Sequence, residues 1–361
     1  MVEKTKFVSI FFMAATLFLT GCAGIGPGTV TRDRFDYTTA LSDSWKSQML
    51  INMVKLRYGD APIFLDVASV INSYEVAGSG SLGASWFHPS SYGLKSSQSL
   101  GVSGTYANRP TITYSPLTGE RFARSLMGPI PASSILNLIQ SGYPADLVFR
   151  VLVQSINGVR NRFGGAAAAR SADPHFYSLI EKMRRLQASG VIGLRVQKLD
   201  EPETTVIVFS GKAEEKIEAD VVEIKKILGM DPGAREFKVV YGMVQANDKE
   251  IAILSRSMLQ VLSDLASYIE VPEVDVTEKR VNPGLKDEPV GGVPVTPLVR
   301  IYSSSHGPDD AFVAVPYNKH WFWIDNKDLP SKQIFSFLMF VFTLVETGGK
   351  EGAPVVTVPA R

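Results

Sequence analysis

Cysteine is almost absent from this chain: among 361 residues there is one, Cys22. A single thiol excludes an intramolecular disulfide framework and a thiolate metal site, because each of these needs several cysteines. The chain also lacks an excess of either charge, because 37 Lys and Arg residues balance 36 Asp and Glu residues and leave a formal net charge of +1. Binding to a nucleic-acid backbone depends on a basic excess, so we predict no nucleic-acid partner.

Long apolar runs and catalytic motifs are lacking as well. The apolar runs at residues 7–19 and 334–345 are shorter than the ~20 residues that a membrane-spanning helix needs. The chain contains no H-E-x-x-H, no G-x-S-x-G and no phosphate-binding G-x-x-x-x-G-K-[ST] sequence. "GSGSLG" at 78–83 matches the dinucleotide-binding pattern, but serines and glycines continue where that motif requires a helix. We therefore predict no cofactor, no metal ion and no enzymatic activity.

The single cysteine directly follows a segment that is typical of a secretory signal peptide. Lys4 and Lys6 precede the apolar run at residues 7–19, as the charged and apolar regions of such a peptide require. The sequence Leu19-Thr20-Gly21-Cys22 resembles the lipobox of bacterial lipoproteins. This resemblance implies that residues 1–21 are removed by cleavage between Gly21 and Cys22. It also implies that Cys22 then carries a covalent diacylglycerol and an N-acyl chain.

The same resemblance implies a cellular location. Two membrane-binding signals already give stable anchoring, so three acyl chains would hold the protein on a bilayer. In this family an aspartate just after the cysteine retains the protein in the inner membrane, and here Ala23 and Gly24 follow instead. We therefore expect a lipid anchor in the outer membrane of a Gram-negative cell envelope, with the body facing the periplasm.

Beyond the anchor, the alternation of helical and strand patterns predicts an α+β fold, in which amphipathic helices pack on a mixed or antiparallel sheet. The predicted organisation, listed from the N-terminus, is a lipidated tether at 22–36, a helical region with an extended Ser/Gly-rich hairpin at 37–157, a linker at 158–172 and a C-terminal α+β domain at 173–361.

Two features of the C-terminal domain complete this prediction. Residues 272–297 contain five prolines and almost no periodicity, which predicts a long loop. The second feature is a helical spacing of apolar residues behind a capping-box pattern at Asn247 and Glu250. It predicts one long amphipathic helix with the stripe Ile251, Leu254, Met258, Val261, Leu265 and Tyr268.

The Ser/Gly-rich hairpin at 78–107 has an unusual alternation of apolar and small residues. Its apolar and aromatic positions are Leu82, Trp86, Leu100, Val102 and Tyr106. A transmembrane β-strand needs roughly 9–11 residues with this alternation and aromatic ends. Because open sheet edges are not tolerated in lipid, membrane insertion would require several subunits, each giving one hairpin to a shared β-barrel. The alternative is an exposed hairpin outside the membrane.

Two further segments contain residue types that bind or cleave ligands. Trp321 and Trp323 share one face of a predicted strand and could stack on a glycan, although apolar residues on both faces also fit a buried strand. The loop 303–310 holds Ser305, His306 and Asp309, which could form a hydrolase site. Its Gly-Pro-Asp-Asp sequence is also ordinary turn chemistry.

The body of the chain resembles a family of predicted proteobacterial lipoproteins with no assigned activity. The segments that carry this resemblance are "NMVKLRYGDAPIFLDV", "RPTITYSPLTGERFARSL" and "WFWIDNKDLPSKQIFSFLM". We therefore predict a non-catalytic structural or partner-binding component of the cell envelope, with an unidentified protein partner or a second copy of itself. An oligomeric outer-membrane conduit and a periplasmic hydrolase or glycan-binding protein are the alternatives.

Overall fold

A computed structural model describes residues 27–71, 74–85, 97–165, 169–197, 204–209, 214–283, 289–290, 295–345 and 356–359. The chain divides into two units, one drawn from Met1–Asp43, Leu65–Leu117 and Lys350–Arg361, the other from Ser44–Phe64 and Thr118–Gly349. The predicted signal peptide, its cleavage site and Cys22 lie outside the described residues. Helices combined with mixed and antiparallel sheets confirm the predicted α+β class.

Helix α1 runs from Pro27 to Arg57, so part of the predicted tether at 22–36 is helical. Proline suits the first turn, where its missing N–H costs no hydrogen bond. The helix ends where Gly59 adopts a φ of +75° and donates its N–H to the carbonyl of Leu56 at 3.2 Å. This left-handed residue stops the helix and frees the chain to enter the first strand.

The first unit contains two sheets. One is three-stranded in the order β1 (Phe64–Ile71), β4 (Thr111–Leu117) and β14 (Val356–Pro359). The other pairs β2 (Tyr74–Ser85) with β3 (Ser97–Asn108) as an antiparallel hairpin. We call this pair the long hairpin. It confirms that the Ser/Gly-rich region is extended and paired.

The second unit is built on a six-stranded mixed sheet in the order β6-β5-β10-β9-β8-β7. Its strands are β5 (Val153–Ile156), β6 (Val159–Arg160), β7 (Ile192–Gln197), β8 (Thr204–Phe209), β9 (Glu236–Tyr241) and β10 (Glu250–Ser255). Three helices precede these strands, α2 (Gly119–Met127), α3 (Ala132–Gln140) and α4 (Ala145–Leu152). Helix α5 (Phe176–Ala188) lies between β6 and β7 in the chain, α6 (Glu215–Leu228) lies between β8 and β9, and α7 (Met258–Ala266) and α8 (Glu273–Thr277) follow β10. Strand β10 runs parallel to β9, and the other pairings are antiparallel.

The long helix predicted from Asn247 to Tyr268 is wrong in its first half. Residues Glu250–Ser255 form strand β10 near the middle of the sheet, where Ile251, Ala252 and Ile253 are all buried. A central strand needs apolar residues on both faces, so it lacks the alternation that marks a half-buried strand. Helix α7 begins only at Met258, and its capping box is formed by Ser257 and Gln260.

The linker predicted at 158–172 belongs to the second unit. Strand β6 adds to the edge of the large sheet there, and Asn161 is buried. The side-chain amide of Asn161 donates to the carbonyls of Arg150 at 2.9 Å and Val153 at 2.8 Å. These bonds satisfy carbonyls at the end of α4, which have no partner within the helix. Within the described residues 158–165 and 169–172, the segment predicted as a linker therefore belongs to the second unit.

The loop predicted at 272–297 is partly helical. Helix α8 follows Pro272, and the carboxylate of Asp275 accepts hydrogen bonds from the hydroxyl of Tyr58 at 2.7 Å and from Arg280 at 3.0 Å. Asp275 is fully buried, so these two partners supply the bonds that water would otherwise make. Residues 284–288 and 291–294 lie outside the described residues.

The C-terminal part of the second unit has a small antiparallel sheet in the order β11-β13-β12, followed by helix α9 (Leu329–Val345). The strands are β11 (Tyr302–Ser304), β12 (Ala311–Tyr317) and β13 (His320–Asp325). Asp328 caps α9, since its carboxylate accepts from the backbone N–H of Ser331 at 3.2 Å and from the Ser331 hydroxyl at 2.7 Å. Across the described residues, no helix combines the length and apolar character needed to span a membrane.

Candidate functional site

The long hairpin is the first candidate site, and its register is regular along its whole length. Each strand has 12 residues, and the pairing runs from Tyr74 opposite Asn108 to Ser85 opposite Ser97. Leu82 lies opposite Leu100, and Tyr106 and Val102 lie opposite Val76 and Gly80. The predicted membrane positions Leu82, Leu100, Val102 and Tyr106 are therefore on paired strands, whereas Trp86 lies outside the described residues.

Small residues cover much of this hairpin. Ser79, Ser81, Ser99 and Ser103 are exposed, and the hydroxyls of Ser79 and Ser103 are 2.6 Å apart across the two strands. Neither strand contains proline, and Glu75 is the one charged residue in their sequences. In the described residues this sheet has two strands, so each strand has one edge without a backbone partner. Proteins usually protect such edges with lysine, proline or bulges.

The second candidate is the outward face of the small sheet. Trp321 and Trp323 are half-buried, whereas Phe322 and Ile324 between and beside them are fully buried. The ring of Trp323 packs on that of Tyr302 with centroids 5.0 Å apart. We call Tyr302, Trp321 and Trp323 the aromatic face. One face of the strand is therefore fully buried, and the tryptophans on its other face keep part of their surface accessible.

The loop 303–310 places Ser305 next to His306 without completing a catalytic arrangement. The hydroxyl of Ser305 and Nδ1 of His306 are 2.9 Å apart, and both residues are exposed. Asp310 accepts a hydrogen bond from Asn326 at 2.9 Å, and Asp309 is exposed. A serine nucleophile needs a base that a third group orients on its other nitrogen. In this loop the serine contacts Nδ1, and Asp310 is held by Asn326.

Metal-ligating residues do not gather anywhere in the described ranges: no group of three or more His, Cys, Asp or Glu side chains is placed to hold an ion. His320 and Asp325, at opposite ends of β13, are engaged separately. His320 pairs with Tyr317 across the hairpin, and the carboxylate of Asp325 accepts from the N–H of Lys327 at 2.8 Å.

A buried ionic cluster joins the segment predicted as a linker to α7 and to Arg256, which precedes this helix. Arg256 and Asp264 are 1% and 2% exposed, and their guanidinium and carboxylate are 2.8 Å apart. Asp264 also accepts from the backbone N–H of Gly164 and faces Arg162 at 3.5 Å. Arg256 donates further to the carbonyl of Val151 at 3.1 Å and to that of Arg162. We call Arg162, Arg256 and Asp264 the buried ionic cluster.

Position 164 of this cluster requires glycine. A Cβ atom there would lie 1.9 Å from the hydroxyl of Ser267, and the backbone N–H of Gly164 would be pushed away from Asp264. The guanidinium of Arg162 lies 4.3 Å from the ring centroid of Tyr268, a cation–π contact. Burial raises the pKa of Tyr268 to about 12. The contacts of Arg162 and Gly164 join this loop to α7, so the buried ionic cluster stabilises the fold and is not a ligand site.

A cavity of about 210 Å³ lies between the large sheet and the helices that cover it. We call it the helix–sheet cavity. Its lining comes from four helices and three strands: Leu136, Ile139, Gln140, Ala145, Phe149, Met183, Gln187, Ile192, Ile207, Phe209, Ile224, Leu228 and Ile251.

Comparisons with known proteins give this chain no relative: no family model, no curated protein and no solved structure matches it. The candidate sites therefore depend on their own geometry.

Sequence reasoning missed the buried ionic cluster and the helix–sheet cavity. Arg256 stands between an apolar strand and an apolar helix, which is a weak signal for a buried charge. The cavity has no signal in the sequence, because its lining residues are ordinary apolar core positions of seven different elements.

Proposed function

We propose that this protein is a periplasm-facing outer-membrane lipoprotein, anchored through acyl chains on Cys22, that acts without catalysis as a structural component of the cell envelope. In this proposal the long hairpin binds the protein partner. The sequence around Cys22 supports the anchor. The observation that supports partner binding is the pair of unprotected edges on two regular 12-residue strands.

A two-stranded hairpin is at best marginally stable in water, because it buries little surface and leaves backbone groups to the solvent. Here the exposed side chains include serines, which add little apolar burial. A further strand at either edge would satisfy the free N–H and C=O groups through main-chain hydrogen bonds. Binding a strand therefore stabilises the long hairpin itself.

The partner that fits these edges best is the long hairpin of a second copy. Its strands carry a single charge, Glu75, so two copies can lie edge to edge with little repulsion between like charges. A two-fold interface also presents the same patch from both subunits, and strand β3, which is regular and uncharged, is complementary to itself. We therefore propose a homo-oligomer that assembles through the long hairpin.

The anchor is tested by metabolic labelling with palmitate and membrane fractionation of the wild type and of Cys22→Ser. We expect label and membrane association in the wild type, and loss of both in the variant. Equal labelling of Cys22→Ser, or a wild type that fractionates as a freely soluble protein, would contradict the proposal.

The partner is tested with an introduced thiol, which is the only free one when Cys22 is acylated. Ser81→Cys places a cysteine on the long hairpin, and Ser305→Cys places one on an exposed loop of the second unit as a matched control. On mild oxidation of native membranes, we expect a disulfide-linked dimer from Ser81→Cys and little from Ser305→Cys.

Four outcomes decide this test. A Ser81→Cys dimer supports self-association. Equal dimer yields from the two variants, or monomers in detergent extracts by light scattering, would overturn it. Cross-linking of Ser81→Cys to a different protein would overturn the second copy as the partner and keep the hairpin as the binding element.

A shared pore is the second candidate, and strand length favours it. Strands of 12 residues exceed the roughly 9–11 that cross a bilayer. In this case purified oligomers would conduct ions across planar bilayers. In intact membranes a charged maleimide would modify Ser81→Cys, on the small-residue face that would line an aqueous lumen, but not Leu82→Cys, on the apolar face that would contact lipid. Rapid modification of Leu82→Cys, at the rate of Ser305→Cys, would contradict the pore.

A further inference from the structure

We propose that the helix–sheet cavity is a binding site for a small, uncharged apolar group of roughly eight carbon-sized atoms. This inference is independent of the lipid anchor and of the long hairpin, because every lining residue belongs to the second unit.

The lining determines the chemical class of the ligand. Eleven of the thirteen lining residues are apolar, and the other two are the glutamines Gln140 and Gln187. Phe149 and Phe209, which are both buried, contribute two aromatic rings to the walls. The lining contains no ionisable side chain, so a charged ligand would lose its hydration without gaining a counter-charge.

Gln187 does not offer its amide to a ligand as a new donor. Its Nε2 group already donates to the carbonyls of Ile139 at 2.7 Å and Tyr143 at 2.8 Å, and its Oε1 atom accepts from the N–H of Ala145 at 2.9 Å. These bonds fix the turn between α3 and α4. Gln187 therefore fixes the position of α3 and α4 in the cavity lining, and the affinity for a ligand comes from contact with the apolar lining residues.

The cavity has a rim on one side. Ile139, Gln187 and Ile192 are only partly buried and Gln140 is exposed, whereas the other lining residues are all buried. Ile192 lies at the start of β7, which is the edge strand of the large sheet in the described residues. A ligand would therefore enter between the C-terminal end of α3 and this edge strand.

Volume determines the size of the ligand. An apolar cavity of about 150 Å³ stays dry and binds benzene, which has six carbons. Scaling to about 210 Å³ gives roughly eight carbon-sized atoms. Two sources supply such a group: a free small hydrocarbon or alcohol, and the end of a lipid acyl chain. Their shared chemistry is a short aliphatic or aromatic segment without charge.

The test uses the chain from residue 22 onward with Cys22→Ser, so that neither lipid nor detergent competes for the cavity. Methionine methyl groups are labelled with ¹³C, because Met183 lies in the wall and its resonance reports directly on occupancy. The probe is n-hexanol. We expect a saturable shift of the Met183 resonance and smaller shifts of the methionines that lie outside the cavity.

Variants then locate the site. Ala145→Leu adds three carbons inside the cavity and should weaken hexanol binding at least tenfold. Ala172→Leu makes the same change at a buried position outside the lining and should leave binding unchanged. If Ala145→Leu does not fold by circular dichroism, Ile224→Phe replaces it. The absence of a saturable Met183 shift, or undiminished binding to the filled variant, would overturn the proposal.

Once hexanol binding is established, the length of the alcohol distinguishes the two sources. If dodecanol binds more tightly than hexanol, the rim lets a longer chain extend outward, and the site takes the end of an acyl chain. If dodecanol is excluded, the cavity closes over its ligand, and the site takes a free small molecule.

Discussion

Replacing Asp264 with alanine should cost about 3–5 kcal/mol of the free energy of unfolding, the range measured when one partner of a buried ion pair is removed. Arg256 would keep its guanidinium at 1% exposure without a counter-charge, and the N–H of Gly164 would lose its acceptor. Charge-assisted hydrogen bonds contribute about 1.5–3 kcal/mol each, so the lost Arg256 bond alone accounts for much of this cost.

The measurement is urea unfolding followed by tryptophan fluorescence, since Trp321 and Trp323 report from the same unit as Asp264. Asp309→Ala, a change at an exposed aspartate, is the matched control and should stay within about 0.5 kcal/mol. The double variant Arg256→Met with Asp264→Leu should recover a large share of the loss, because it removes both charges together. A loss below about 1 kcal/mol for Asp264→Ala, with an unchanged denaturant slope, would refute the assigned role of the cluster.

Three further predictions concern pH and capping. Burial raises the pKa of Tyr268 to about 12. The neutral phenol therefore contributes fully to the free energy of unfolding below pH ~10, and this contribution is lost as the pH rises toward 12. Tyr268→Phe has no group to ionise, so it should unfold at a higher pH than the wild type in an alkaline titration. The hydrogen bond from Arg185 holds the pKa of Asp220 below its usual value. The Asp220 carboxylate therefore adds to the free energy of unfolding above pH ~4, and this contribution is lost as the pH falls. Asp220→Asn should lower the free energy of unfolding at pH 7, and urea unfolding at pH 3 should show a smaller difference from the wild type. Ser257→Ala removes the cap of α7 and should cost about 1 kcal/mol by urea unfolding, whereas the same change at exposed Ser305 should be neutral.

Several elements could be predicted because their signals are local. The alternation in the long hairpin and the strand that holds Trp321 and Trp323 each depend on a few neighbouring residues, and the structure contains both. Strand β10 could not be predicted, because a strand with apolar residues on both faces lacks alternation, and the spacing of Ile251 and Leu254 matched a helix. Burial in the middle of the sheet decided its conformation.

The sequence by itself determined the charge balance, the residues around Cys22 and those local elements that have a clear alternation, and the lipid anchor inferred from Cys22 and its neighbours stays a prediction. The tertiary structure alone decided which residues meet. Residues 151 and 164 converge on the buried ion pair of Arg256 and Asp264, and thirteen residues from seven elements line one cavity. Local patterns contain no information on such convergence, because it depends on how distant segments pack and on which polar groups they leave to be satisfied.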